Sequence, residues 1–328
     1  MGLWDLERPD KLTVLRGFRE GVWSMTLSAD QRRLVVGTGD YFEPERAGEV
    51  LVFDFASQQR LLHPLPHPAA VNSVSLKPDG NLLATGCADG HVRLFSLRDG
   101  QLLRTLTNTV NNKMANIVFS PDGRTLVTAS GSNGPFTLWN TATWEATPLL
   151  RSPPEDTEHL AFSPDGSLLV TPMGVTKCAV VWNIPAGTTN TVLPMGDHTT
   201  GAAFSPDGTL LAVRDFSTIA LFEVNTWKPL GTLRGHEHVI YAMVFAPDGK
   251  TLASVGVDYS VRLWSVPARA EVAVLHDHVD WTTTVAFTPD GQWLISGSRD
   301  KTVKLRRIPS FAQIQAAENP HPTRRWSF

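Results

Sequence analysis

The chain has 328 residues, 42% of them apolar and 19% charged, with a net charge of −3, which is the profile of an ordinary folded chain with enough apolar surface for a large core. It has no long run of Lys or Arg, so the electrostatic footprint of a nucleic-acid binder is missing, and no apolar run approaches the ~18 residues a membrane helix needs. Cys87 and Cys178 lie in separate strand-like stretches without metal-ligand spacing, and no charged-then-apolar leader opens the sequence, so we expect a soluble, cytoplasmic protein without nucleic-acid or membrane partners.

A turn motif punctuates the whole chain. It reads LSADQ at Asp30, KPDG at Asp79, SPDG at Asp122, Asp165 and Asp207, APDG at Asp248 and TPDG at Asp290, with successive spacings of 49, 43, 43, 42, 41 and 42 residues. Pro presets φ for such a turn and Gly supplies the positive φ that other residues resist. An apolar strand precedes each Asp, with a large residue three positions ahead (Leu27, Leu76, Phe119, Phe162, Phe204, Phe245, Phe287) and a smaller one four ahead (Thr26, Ser75, Val118, Ala161, Ala203, Val244, Ala286). That alternation suits an inner strand whose two faces meet different spaces. After the turn come a second strand, a third ending in an aromatic (Phe53, Phe95, Trp139, Trp182, Phe222, Trp264) and an outer strand: LLHPL, LLRTL, ATPLL, NTVLP, PLGTL and EVAVL in the first six units. A period near 40 with four short strands per unit predicts propeller blades, seven of them, rather than a helical solenoid. Only Ser310 to Glu318 reads as helical.

On these repeats the chain resembles the WD-repeat seven-bladed β-propellers over roughly residues 10 to 308. The resemblance implies an all-β fold, a propeller of four-stranded antiparallel blades closed by an N-terminal strand, and a buried set of His, Ser or Thr, Asp and Trp that locks a blade. The sixth blade carries the full set in His236, Ser254, Asp258 and Trp264. The second offers His67, Thr85 and Asp89 with Phe95 in place of the indole, and the seventh His278, Ser296 and Asp300 with Arg306 there. The other blades have Phe18, Val110, Pro153 or Met195 where the His belongs, so packing and strand ladders are expected to hold them, and we expect them to be softer. Lys11 to Gly17 matches the segment before the sixth blade. Residues 11–15 are therefore expected as the closing outer strand, in preference to Phe311 to Gln315. The propeller then occupies 1–308, and 309–328 form a tail, flexible or a short helix, with Trp326 and Phe328 as an alternative docking peptide.

Catalytic and cofactor motifs are missing: the sequence has no GxSxG elbow, phosphate loop or HExxH. DGKT at Asp248 is the repeated turn, not a phosphate loop. His-rich corners at His63 and His67, His236 and His238, and His276 and His278 are read as structural, so no metal and no cofactor are expected.

In the family, positions nine and seven before the anchoring Asp stand at the rim of the face that binds partners. Here Trp23, Tyr241 and Trp281 occupy such positions on blades one, six and seven, which closure makes neighbours. A long loop in blade one, Gly37 to Gly48, emerges on the same face with Tyr41, Phe42 and Arg46, and Arg299 lies nearby. Trp, Tyr and Arg are the residue types enriched at interface hot spots. The resemblance thus implies a non-enzymatic scaffold that binds a protein or peptide partner over blades six, seven and one, as a component of a multiprotein assembly. Three competing readings follow from the same residues. The aromatics would merely plug the channel or cover neighbouring loops; the chain would be a hydrolase resembling propeller lactonases, with Asp156, Glu158 and His198 as its polar rim; or it would be the regulatory or sensor propeller of a larger signalling or effector assembly.

Overall fold

Each repeat becomes a four-stranded antiparallel sheet, and the seven sheets form a β-propeller. The computed structural model describes residues 12–40, 42–107, 116–129, 136–148, 159–174, 176–196 and 198–308. Among these there is no helix, hence none long and apolar enough to cross a membrane. Ser310 to Glu318, the candidate strand Phe311 to Gln315, the tail 309–328 and residues 1–11 lie outside the described residues.

The seventh blade closes the ring. Its inner three strands, Thr282–Phe287, Trp293–Ser298 and Thr302–Arg307, take Leu12–Leu15 as the outer strand, with Leu12 opposite Arg306 and Leu15 opposite Val303. The N-terminal segment therefore supplies the closing strand, and the last sheet is complete. Blade one differs from expectation at its own outer edge. The strand predicted over LLHPL begins only at Leu65 and runs Leu65–His67, while Arg60 alone bridges to Phe53. Pro64 and Pro66 have no N–H to donate, so the preceding Leu62 and His63 leave the ladder.

Between the blades lie the cores. Leu15, Phe18, Val22, Leu34, Leu51, Ile295 and Leu305 pack together where blades seven and one meet, and comparable clusters fill the other interfaces. Phe119, Phe245 and Phe287, three before their anchors, are buried there. Thr26, Ser75, Val118 and Val244, four before theirs, line a central channel holding a cavity of about 300 Å³.

The repeated turn owes its form to hydrogen bonds made by its Asp. In blade five Ser205 Oγ donates to Asp207 Oδ1 at 2.6 Å, and the same oxygen accepts Thr209 N–H at 3.0 Å. The residue after the Asp adopts positive φ, +72° at Gly80 and Gly208, but in blade one it is Gln31 at +58°. A side chain in that region costs ~1–2 kcal/mol, partly offset by the greater freedom glycine has in the unfolded chain. Gln31→Gly is therefore expected to raise stability by about 0.5–1 kcal/mol, read as a higher urea midpoint with unchanged slope.

Candidate functional site

Blade six contains a directed chain of hydrogen bonds. Trp264 Nε1–H donates to Ser254 Oγ (2.8 Å), Ser254 Oγ lies 2.7 Å from His236 Nε2, and His236 Nδ1 lies 2.7 Å from Asp258 Oδ2. The ionised Asp258 carboxylate can only accept, so the imidazole carries a proton on Nδ1, facing it, while Ser254 Oγ accepts from the indole and meets Nε2. Burial pushes the Asp258 carboxyl up, but hydrogen bonds from His236, Ser260 and the Glu237 N–H outweigh it and hold it below the usual range.

Blade seven keeps His278 on Ser296 (2.8 Å) and Asp300 (2.9 Å). Blade two does not assemble the expected set. His67 reaches Thr85 at 2.8 Å, but its Nδ1–H donates to the Leu65 carbonyl, and Asp89 instead takes both arms of Arg93 at 2.5 and 3.2 Å. The reason lies on the outer strand. In blade six the matching Arg262 is held by Glu271 at 2.5 Å and stays 3.8 Å from Asp258; in blade two the position of Glu271 is Leu102, so Arg93 turns onto Asp89. Blades three and four, read as lacking the lock, retain half of it: Trp139 donates to Thr128 (3.0 Å) and Trp182 to Thr171 (2.8 Å).

Arg306 replaces the indole in blade seven together with a second change. In blade six Gly235 leaves room for the aromatic, since a Cβ there would lie 2.9 Å from the Trp264 ring. The corresponding residue in blade seven is Asp277, and its carboxylate grips Arg306 through Nε at 3.0 Å and Nη2 at 2.6 Å. A packed aromatic over a glycine has been exchanged for a bidentate ion pair.

The channel holds a residue that the repeat pattern passed over. Arg214, seven after its anchor, is 1% exposed and donates to the carbonyls of Ile240 and, at 3.2 Å, Thr200. Other blades have Gly37, Gly86, Ala129, Pro172, Val255 and Gly297 there, and that mismatch was the available signal. Gly201 makes the space, because a Cβ would overlap the arginine. His159 borders the cavity, yet the surrounding protein desolvates its imidazole, and with the Arg214 charge beside it the pKa is pushed down to about 3.

On the face predicted to bind partners, the aromatic residues form a continuous chain. Trp23 and Tyr241 are the extra residues of β-bulges, where the ladder skips from Val22 to Ser24 and from Ile240 to Ala242. A bulge re-aims the side chain it carries, and the two rings meet each other across blades one and six. Trp23 meets Tyr241 edge-on at 5.9 Å, Tyr241 meets Trp281 at 5.7 Å, and Trp281 meets Phe42 at 5.6 Å. Arg299 lies over both Phe42 (4.7 Å) and Trp281 (4.4 Å), in cation–π geometry. Trp23, Tyr241 and Trp281 are half-buried against one another, whereas Phe42 is 63% exposed. Arg46 lies on the same seam, paired with Glu20 at 3.0 Å. Exposed Phe216, Tyr259 and Val279, which the sequence reading did not single out, stand in loops of blades five, six and seven. Tyr41 falls outside the described residues, as do Asp156 and Glu158; His198 meets Phe216 at a tilt, with ring centroids 5.7 Å apart. Among the described residues no three His, Cys, Asp or Glu side chains gather as metal ligands.

Seven four-stranded sheets, two of them locked by a histidine, serine and aspartate set, define a β-propeller built from short sequence repeats. Residues 59–96, 227–265 and 269–306 match the family model described as "WD domain, G-beta repeat", so three WD repeats lie within this seven-bladed propeller. It is similar to Periodic tryptophan protein 2 of Arabidopsis thaliana, 28% identical over 270 residues, which cover 76% of this chain and 30% of that protein. It is also similar to Autophagy-related protein 18 of Meyerozyma guilliermondii (41% over 91 residues; 27% and 16%) and to the guanine nucleotide-binding protein subunit beta of Solanum tuberosum (32% over 148 residues; 42% and 38%). The chain thus spans well under half the length of these relatives.

The paired exchange in blade seven has a measurable signature. Asp277→Gly should destabilise by about 3 kcal/mol, because it takes the bidentate carboxylate from the buried Arg306, and Arg306→Trp by about 1–3 kcal/mol, because it sets a ring against the partly exposed Asp277 carboxylate. The double variant should recover most of the loss, giving a coupling of about 2–3 kcal/mol in a double-mutant cycle of urea unfolding. Acid sensitivity follows from His67, whose pKa burial pushes down to about 4. The native state holds it neutral while the unfolded chain protonates it near pH 6.5, so its contribution is full above that pH and is lost as pH falls towards 4. The loss is on the order of 3 kcal/mol. His67→Gln should flatten the stability profile over that interval, as measured by unfolding at a series of pH values.

Proposed function

We propose that the chain is a non-enzymatic scaffold that binds a protein or peptide partner across the face above blades six, seven and one. The observation that carries this reading is the aromatic chain from Trp23 to Phe42, which ends in a phenylalanine 63% exposed. Exposed apolar side chains set against stacked aromatics and an arginine are what a hot spot offers a partner. Its alignment with parts of longer proteins, one of them named as a subunit, supports its working as a component of a larger assembly. Two free cysteines, Cys87 buried, support a reducing, cytoplasmic setting.

Affinity purification with the intact protein as bait, followed by cross-linking of the purified complex, tests the face. Tyr241→Ala/Trp281→Ala and, separately, Phe42→Ser should each lower partner recovery at least about tenfold while the far-UV spectrum and cooperative melt persist. Unchanged recovery by both variants, or cross-links confined to the opposite face, would reject the assignment.

A further inference from the structure

The chemistry of the partner is written in the charges around Phe42. Where blades seven and one meet, Lys301 and Arg46 share one carboxylate, Glu20, at 3.4 and 3.0 Å, and Arg19 stands 4.0 Å from Glu49. The exposures are asymmetric. Glu20 and Glu49 side chains are each 9% exposed, while those of Arg19, Arg46 and Lys301 are 84%, 54% and 49% exposed. Three cations thus face solvent above two buried carboxylates, on a chain whose net charge is −3. Glu43, 70% exposed and 3.9 Å from Arg46, draws on Arg46 from the loop side, and Glu45 is exposed on the same loop. Arg19 and Lys301 remain the outward charges of the seam, joined where Lys301 Nζ donates to the Arg19 carbonyl at 2.5 Å.

Phe42 belongs to the same surface. A Cβ on Gly21 would lie 3.0 Å from Arg299 Cα, so the segments carrying Arg19 and Lys301 run side by side, and Phe42 rests on Arg299. Arg299, also 3.6 Å from Asp280, already occupies a face of Phe42 and of Trp281. Those faces are taken by the protein's own cation, which disfavours a basic ligand there. What Phe42 still offers is apolar surface.

We propose that this seam recognises an acidic segment of a partner protein bearing an apolar anchor: the anchor packs on Phe42 and flanking carboxylates pair with Arg19 and Lys301. This assignment rests on the proposed function and adds to it the charge of the partner. Charge complementarity of this kind sets specificity and association rate, and it is weakened by salt.

Fluorescence polarisation of the full chain with a labelled peptide, Gly-Glu-Asp-Leu-Phe-Glu-Asp-Gly, tests it, beside one peptide with Lys at the acidic positions and one with Ser for Leu-Phe. Only the first should bind, about tenfold more weakly at ~300 mM than at ~50 mM salt. Arg19→Glu/Lys301→Glu should weaken it at least about thirtyfold and Phe42→Ser about tenfold, with Arg104→Glu on the outer strand of blade two without effect. Equal or tighter binding of the lysine peptide, indifference to the charge reversal, or no binding of the acidic peptide overturns the proposal. The two failures are separable. If Tyr241→Ala/Trp281→Ala abolishes recovery of a partner that Arg19→Glu/Lys301→Glu still retains, the face stands and the acidic chemistry falls; if neither variant alters partner recovery, both fall.

Discussion

Closure of the ring is the constraint on which everything else depends. A blade buries its apolar faces only against its two neighbours, so an incomplete last sheet would leave an edge and expose the cores on either side. Four residues, Leu12–Leu15, complete it by pairing with Thr302–Arg307. Leu15 then packs with Val303 and Leu305 beside Val22 and Leu34, so the closing strand and the cores around it stabilise one another. Closure also brings blade seven against blade one, and only through it do Trp281, Arg299 and Phe42 meet.

The three blades around that joint are held in three different ways. Blade six is locked by the Trp264, Ser254, His236, Asp258 chain. Blade seven keeps the histidine but exchanges indole and glycine for Arg306 and Asp277, an ion pair beneath the closing strand. Blade one has no histidine there and carries the long loop instead. Its Asp40 accepts the Phe42 and Glu43 N–H groups at 2.9 and 3.3 Å, and Arg46 ties the loop to buried Glu20. The anchored loop is what allows a 63% exposed phenylalanine to hold a defined place.

The channel shows the same economy in blades four to six. Arg214 spans from its own blade to the Ile240 carbonyl, and the glycine at position 201 is what admits it. Burial first, and the Arg214 guanidinium beside it second, lower the affinity of His159 for a proton, so that this imidazole is neutral across the physiological range.

Much of this was legible in the residues. The spaced turns marked seven units, the large and small alternation marked the inner strands, and KLTVLRG marked the closing strand, because period and pattern are local properties of the chain. The offsets also placed Trp23, Tyr241 and Trp281 on one rim. Side-chain partnership was not legible, since it is settled by competition in space. Asp89 pairs with Arg93 rather than His67 because Leu102, on another strand, offers the arginine no carboxylate, and Arg214 enters the channel because Gly201 leaves room. By itself the sequence determined the repeat and the fold; only the tertiary structure decided which charges are buried and which turn outward at the seam, because that depends on residues distant in the chain and adjacent only once the ring has closed.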